Sequence, residues 1–86
     1  MGFDIVFVPS AFKHKISEEN IRWVLLNHIA DGIIEEDDET KYLTIRFDKK
    51  GNLLEIMYNH IDAQTIKVFH AMNCRKQFYE KLQGKE

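Results

Sequence analysis

Two neighbouring segments constrain what this chain can fold into more than any other feature. Residues 42–48 (YLTIRFD) alternate, with Leu43, Ile45 and Phe47 on one side and Thr44 and Arg46 on the other. Residues 53–59 (LLEIMYN) alternate again, with Leu54, Ile56 and Tyr58 opposite Leu53, Glu55 and Met57. A period of two marks strands with one apolar face. Between them, Lys49-Lys50-Gly51-Asn52 reads as a hairpin loop in which Gly51 takes a positive φ. The core of the fold is therefore an antiparallel pair. Residues 66–71 (IKVFHA), after a polar link at 60–65, read as a third strand. The β-branched and aromatic stretch 3–8, ended by Pro9-Ser10, reads as a short first one.

Helical signals flank the strands. Ser10 to His14 can form one helical turn, capped by Ser10. Ser17 is placed as an N-cap, with Glu18 and Glu19 in the first turn where they complement the helix dipole. From there Ile21, Val24, Leu25, His28 and Ile29 share one face, and Asp31-Gly32 ends the helix. His28, inside that apolar arc, reads as a hydrogen-bonded core histidine. Cys74, Phe78 and Leu82 recur every fourth residue and predict a closing helix of about ten residues, with Asn73 as its N-cap. The expected architecture is α+β: N-terminal helices on one face of a small antiparallel sheet, with a short C-terminal helix.

An 86-residue chain supports one domain, spanning 1–86, and its six Phe, three Tyr and one Trp supply bulk for one core. A single cysteine, Cys74, leaves no disulfide within the chain, which fits a reducing compartment. The longest apolar runs, at 5–8 and 23–26, are far too short to span a bilayer, and the first ten residues lack the basic start of a secretory signal. The expectation is a cytoplasmic protein without membrane contact. No glycine-rich phosphate loop, nucleophile elbow or paired metal-ligand spacing is present, so no cofactor and no metal are expected.

Charge is divided unevenly along the chain. Residues 1–40 set Lys13, Lys15 and Arg22 against nine carboxylates, whereas residues 41–86 set nine Lys or Arg against five. Much of the acidity lies in Glu35-Glu36-Asp37-Asp38-Glu39, which reads as a solvated loop, or as a clamp on a basic partner or a shield for the basic half. The basic half permits a local phosphate site.

Four groups of residues carry candidate chemistry. Arg46 and Glu55 sit on the more polar sides of two paired strands, and are expected to project together from the open sheet face, either as a cross-strand ion pair or as a site. His70 ends the third strand near Arg75 and Lys76, which fall in the first turn of the closing helix. Cations there oppose the dipole, so either the side chains bend into water or an anion binds to them and to the free backbone N–H groups. On that placement Arg75→Ala leaves stability unchanged or improved. Lys13-His14-Lys15 forms a basic loop before the main helix. Trp23 and Leu26 lie outside its apolar arc and are available to a partner.

The order of these features resembles the BrnT-like toxins of the RelE superfamily. Lys13-His14-Lys15-Ile16-Ser17 resembles their KHGIS-type motif, and the segments 42–47, 51–56 and 66–71 before a basic helix follow in the same order. Lys15 stands where that motif has glycine, and Met72 falls where such toxins often carry an arginine. The resemblance implies a RelE-like fold and the toxin half of a type II toxin–antitoxin pair: a metal-independent endoribonuclease that inhibits translation, neutralised by a small DNA-binding antitoxin. The assembly would be a homodimer or a toxin–antitoxin hetero-oligomer. RNA cleavage needs a base, an acid and cations on the phosphate. Glu55 or His70 fits the base, His14 or His70 the acid, and Arg46, Arg75, Lys76 and Lys13 the phosphate contacts. The alternative is a non-catalytic interaction module on the same scaffold, binding an antitoxin-like partner through Trp23, Leu26 and the acidic segment.

Overall fold

In the computed structural model, residues 4–26, 32–36 and 39–78 are described. The elements run β1 (Asp4–Phe7), a 3-10 turn (Pro9–Phe12), α1 (Glu18–Leu26), β2 (Gly32–Glu36), β3 (Glu39–Phe47), β4 (Leu53–His60), β5 (Thr65–Asn73) and a 3-10 turn at Lys76–Phe78. They form an α+β domain around one five-stranded sheet of order β1-β5-β4-β3-β2. The sheet is mixed rather than antiparallel, because β1 runs parallel to β5 at one edge. No helix among the described residues is long and apolar enough to cross a membrane.

The start of α1 follows its sequence signal. Ser17 Oγ accepts the Asn20 N–H at 3.1 Å, and Glu18 pairs with Arg22 one turn on at 2.8 Å. Ile21, Val24 and Leu25 are buried, while His28, Ile29 and Asp31 lie outside the described residues. Ser10 does not cap the first turn. Its hydroxyl donates instead to the Phe69 carbonyl at 2.7 Å, tying that turn to β5.

β2 is a correction. The acidic segment read as a loop supplies two strand ends, with Glu35 and Glu36 in β2 and Glu39 in β3. Ile33 and Ile34 pair with Tyr42 and Lys41, and the burial of Ile34 against the core offsets the acidic neighbours.

The second correction concerns which side chains share a face. β3 and β4 pair in the register Arg46↔Leu54 and Ile45↔Glu55. Residues opposite one another share a face, so Thr44, Arg46, Leu54, Ile56 and Tyr58 lie on the α1 side, and Leu43, Ile45, Phe47, Leu53 and Glu55 on the other. Arg46 and Glu55 are therefore on opposite faces, and the site proposed to contain both does not form. The cause is Asp48. Its N–H donates to the Asn52 carbonyl (2.9 Å), and its Oδ1 accepts the N–H groups of Lys50 and Asn52 (both 2.8 Å). This closes a three-residue loop, with Gly51 at φ 89°, where the sequence had suggested four. One residue of loop length reverses the facing of the returning strand.

Two apolar clusters result. Ile21, Val24 and Leu25 of α1 pack with Ile5, Leu54, Ile56, Tyr58, Ile66, Val68 and Ala71 on one face. On the other, Phe78 covers Leu43 and Ile45, with Leu53, Met57 and Cys74 around it. The closing helix is replaced in its described part: β5 runs on through Asn73, and a 3-10 turn carries Phe78 onto the sheet. Leu82 lies outside the described residues.

Asp48 also joins the two layers, since Oδ2 accepts Asn20 Nδ2 of α1 at 2.7 Å. Burial pushes its carboxyl pKa up, but hydrogen bonds from Asn52, Asn20 and Lys50 outweigh this and leave it below its ordinary value. Asp48→Ala should cost about 2–4 kcal/mol, because several charge-assisted bonds go at once. Chemical denaturation of both proteins checks this, and a loss below about 0.5 kcal/mol, the surface-substitution range, would contradict it.

Candidate functional site

Glu55 is fully buried at the middle of β4, on the face away from α1. A carboxylate there is tolerable only if its charge and lone pairs are satisfied. Oε1 accepts the Arg75 backbone N–H at 2.8 Å. Oε2 accepts Arg75 Nε at 2.9 Å and Nη2 at 2.7 Å, and lies 2.8 Å from His70 Nε2. Burial raises the pKa of Glu55, yet the Arg75 guanidinium and N–H, with His70, prevail and hold it below its ordinary 4.5. The same pairing raises Arg75, while burial and the charge of Glu55 push the Cys74 thiol up.

A β-bulge brings His70 into this group. Met57 pairs with His70, but Tyr58 pairs with Val68, leaving Phe69 as the extra residue. Simple alternation would put Ile66, Val68, His70 and Met72 on one face. The bulge separates them. Ile66 and Val68 pack with α1, whereas His70 shares the face of Met57, the face that carries Glu55. An ionised carboxylate only accepts, so the Nε2 bonded to Glu55 carries the proton and a neutral His70 keeps its lone pair on Nδ1. The ring of His14 meets that of His70 edge-on, with centroids 5.8 Å apart.

His14 is positioned by a strained turn. Lys15, which stands where the resembling motif has glycine, takes φ 65°, the left-handed conformation that glycine adopts freely. The turn closes through Lys15 N–H to the Phe12 carbonyl at 3.1 Å. Lys15 is exposed beside His14.

The structure therefore brings together Glu55, His70, Arg75 and His14. Lys13 and Lys76 are exposed beside this group in sequence. Arg46 is not part of it: on the opposite face, its Nη1 donates to the Ile45 carbonyl at 2.9 Å. Trp23 and Leu26 are exposed on α1, at 36% and 57%. Arg75 also differs from its expected setting. It precedes the 3-10 turn rather than opening a helix, and the anion inferred beside it is the chain's own carboxylate, bound by both its side chain and its backbone N–H. Among the described residues, no three His, Cys, Asp or Glu side chains converge as a metal site. Two contributors escaped the sequence reading: the Phe69 bulge, which leaves no mark in composition, and Asp48, for which an Asp beginning a Gly-containing loop was an available signal.

No family model, curated protein or solved structure matches the chain.

Arg75→Ala should now destabilise, the reverse of what an exposed helix-start cation would do. Removing the guanidinium leaves Glu55 buried with His70 as its remaining side-chain partner. The loss should be about 2–3 kcal/mol, less than for a fully buried pair because Arg75 is 43% exposed. In a double-mutant cycle with Glu55→Gln, the paired change should cost at least about 1 kcal/mol less than the two single losses added. Additive losses, or none for Arg75→Ala, would contradict this.

Proposed function

We propose that this chain is a metal-independent endoribonuclease and the toxin half of a type II toxin–antitoxin pair, neutralised by a small DNA-binding antitoxin. The observation that carries this proposal is one cluster holding two histidines and an arginine, with one histidine fixed by a buried carboxylate. Glu55 is not the base, since both its oxygens are occupied inside the protein. It positions His70, whose Nδ1 takes the proton of a ribose 2′-hydroxyl. The freed oxygen attacks phosphorus, the bond to the 5′-oxygen breaks, and His14 supplies the proton to that leaving oxygen. The products are a 2′,3′-cyclic phosphate and a 5′-hydroxyl. Arg75, 43% exposed beyond its bond to Glu55, faces the developing phosphorane charge, and Lys13 and Lys76 hold flanking phosphates.

A second reading, a non-catalytic module binding an antitoxin-like partner, is favoured by the exposure of Trp23 and Leu26 on one helix. One experiment separates the two. Purified protein is incubated with end-labelled RNA in EDTA, and growth is followed on induced expression with and without the cognate antitoxin. The expected outcome is cleavage to cyclic-phosphate ends, slowed about 10²–10⁴-fold by His70→Ala and likewise reduced by His14→Ala, with melting curves confirming folded variants. Wild-type protein that neither cleaves nor arrests growth, or a His70→Ala protein that cleaves equally fast, would overturn the proposal.

A further inference from the structure

The bulge in β5 has a consequence beyond His70: it places two consecutive side chains on one face. Ile66 and Val68 pack with α1, so Lys67 between them faces the other way, and beyond the bulge His70 shares the face of Met57. The extra residue, Phe69, also has its ring on that side. Lys41, which alternates with Leu43 and Ile45 along β3, reaches across β4 and sets its Nζ 5.8 Å from the Phe69 ring centroid. Lys67, Phe69 and His70 therefore make one row about 10 Å long, with Lys41 over its middle. Phe69 is half-buried, yet it belongs to neither apolar cluster of the described residues. The cleavage cluster uses neither this ring nor the two lysines.

The chemistry of the row selects its ligand. A cationic partner is opposed by Lys41 and Lys67, and a bare phosphate leaves the ring unused. A ligand that uses all of it is flat, with a π face, and carries negative charge beside that face. We propose that Phe69 is the stacking platform for an unpaired RNA base, that of the nucleotide whose 2′-hydroxyl meets His70, with the adjoining upstream phosphate on Lys41 and Lys67. The base takes the place of the Lys41 ammonium over the ring, a contact close to the outer limit of about 6 Å for such pairs, and the flexible side chain turns to the phosphate. Glu39 and Asp4 are exposed on the same face beyond the two lysines and end the cationic stretch, so the footprint on this side is short. The platform deepens the cleavage proposal and rests on it for the identity of the ligand. It adds a requirement that the RNA be single-stranded at this nucleotide, since a base held in a duplex cannot reach the ring.

The test measures binding without cleavage. A fluorescent 2′-O-methyl RNA oligonucleotide, which has no 2′-hydroxyl proton to lose, is titrated with the full chain and followed by anisotropy. A duplex of the same sequence and a polyglutamate peptide of equal charge serve as comparisons. The single strand should bind at least about tenfold tighter than either. Phe69→Leu should weaken it about five- to hundredfold while Phe69→Tyr, which keeps the ring, stays near wild type, with melting curves confirming folded variants. Lys67→Gln should weaken it too, and should lower the slope of log Kd against log salt by about 0.7, the signature of one lost phosphate contact on a single strand. Ring-dependent binding by a wild-type chain that cleaves no RNA would leave the platform standing and remove the cleavage proposal. Cleavage with binding indifferent to Phe69→Leu would do the reverse. Duplex or polyglutamate binding as tightly as the single strand, or no binding at about 1 mM chain, would also overturn the inference.

Discussion

Placing one ionised carboxylate at the centre of a sheet face is the constraint to which much of this structure answers. Glu55 is fully buried, flanked across the strands by Ile45 and Met72. Left alone there it would be neutralised or would destabilise the fold by several kcal/mol. The chain meets it with the Arg75 backbone N–H, the Arg75 guanidinium and the ring of His70. Each partner is thereby given a second task. Arg75 fixes the segment after β5 against the sheet, with its guanidinium carbon 5.2 Å from the centroid of the Phe78 ring. His70 acquires a defined tautomer and orientation. A polar network of this kind specifies one arrangement because each member is satisfied only in that arrangement.

Two irregularities make the arrangement possible. The Asp48 loop sets the β3–β4 register and so places Glu55 away from α1. The Phe69 bulge lets Ile66 and Val68 serve the helix-side core while His70 reaches Glu55. Regular strands cannot do both, since alternation would bury His70 under α1 or expose the two aliphatic residues. Neither device is apolar packing, yet each decides which packing is used.

The parts of the fold legible in the sequence are those governed by local chemistry. Ser17 and the apolar arc placed the start and inner face of α1, and the two alternating segments placed β3 and β4. Residue type and rough proximity also identified Glu55, His70, Arg75 and His14 as candidates. What failed depended on single-residue register. A loop of three residues rather than four moved Arg46 to the other face, and an internal bulge is invisible to periodicity. β2 was missed because five consecutive carboxylates obscure the two isoleucines that pair it. The anion expected beside Arg75 rested on a helix start that does not form, and the charge Arg75 meets is the Glu55 carboxylate. Only tertiary structure could reveal it as a residue twenty positions earlier.

The most direct measurement is the titration of the Glu55 side-chain carboxyl by carbon-13 NMR. Its pKa is lowered in the folded protein, so ionisation stabilises the fold above its ordinary value of 4.5 and that contribution is lost as pH falls through the folded midpoint. The expected result is a midpoint below 4.5 in the wild type, moving upward in Arg75→Ala as burial then acts with fewer opposing bonds. A wild-type midpoint at or above 4.5, or one that Arg75→Ala leaves in place, would contradict the account of Glu55 as the charged centre of the site.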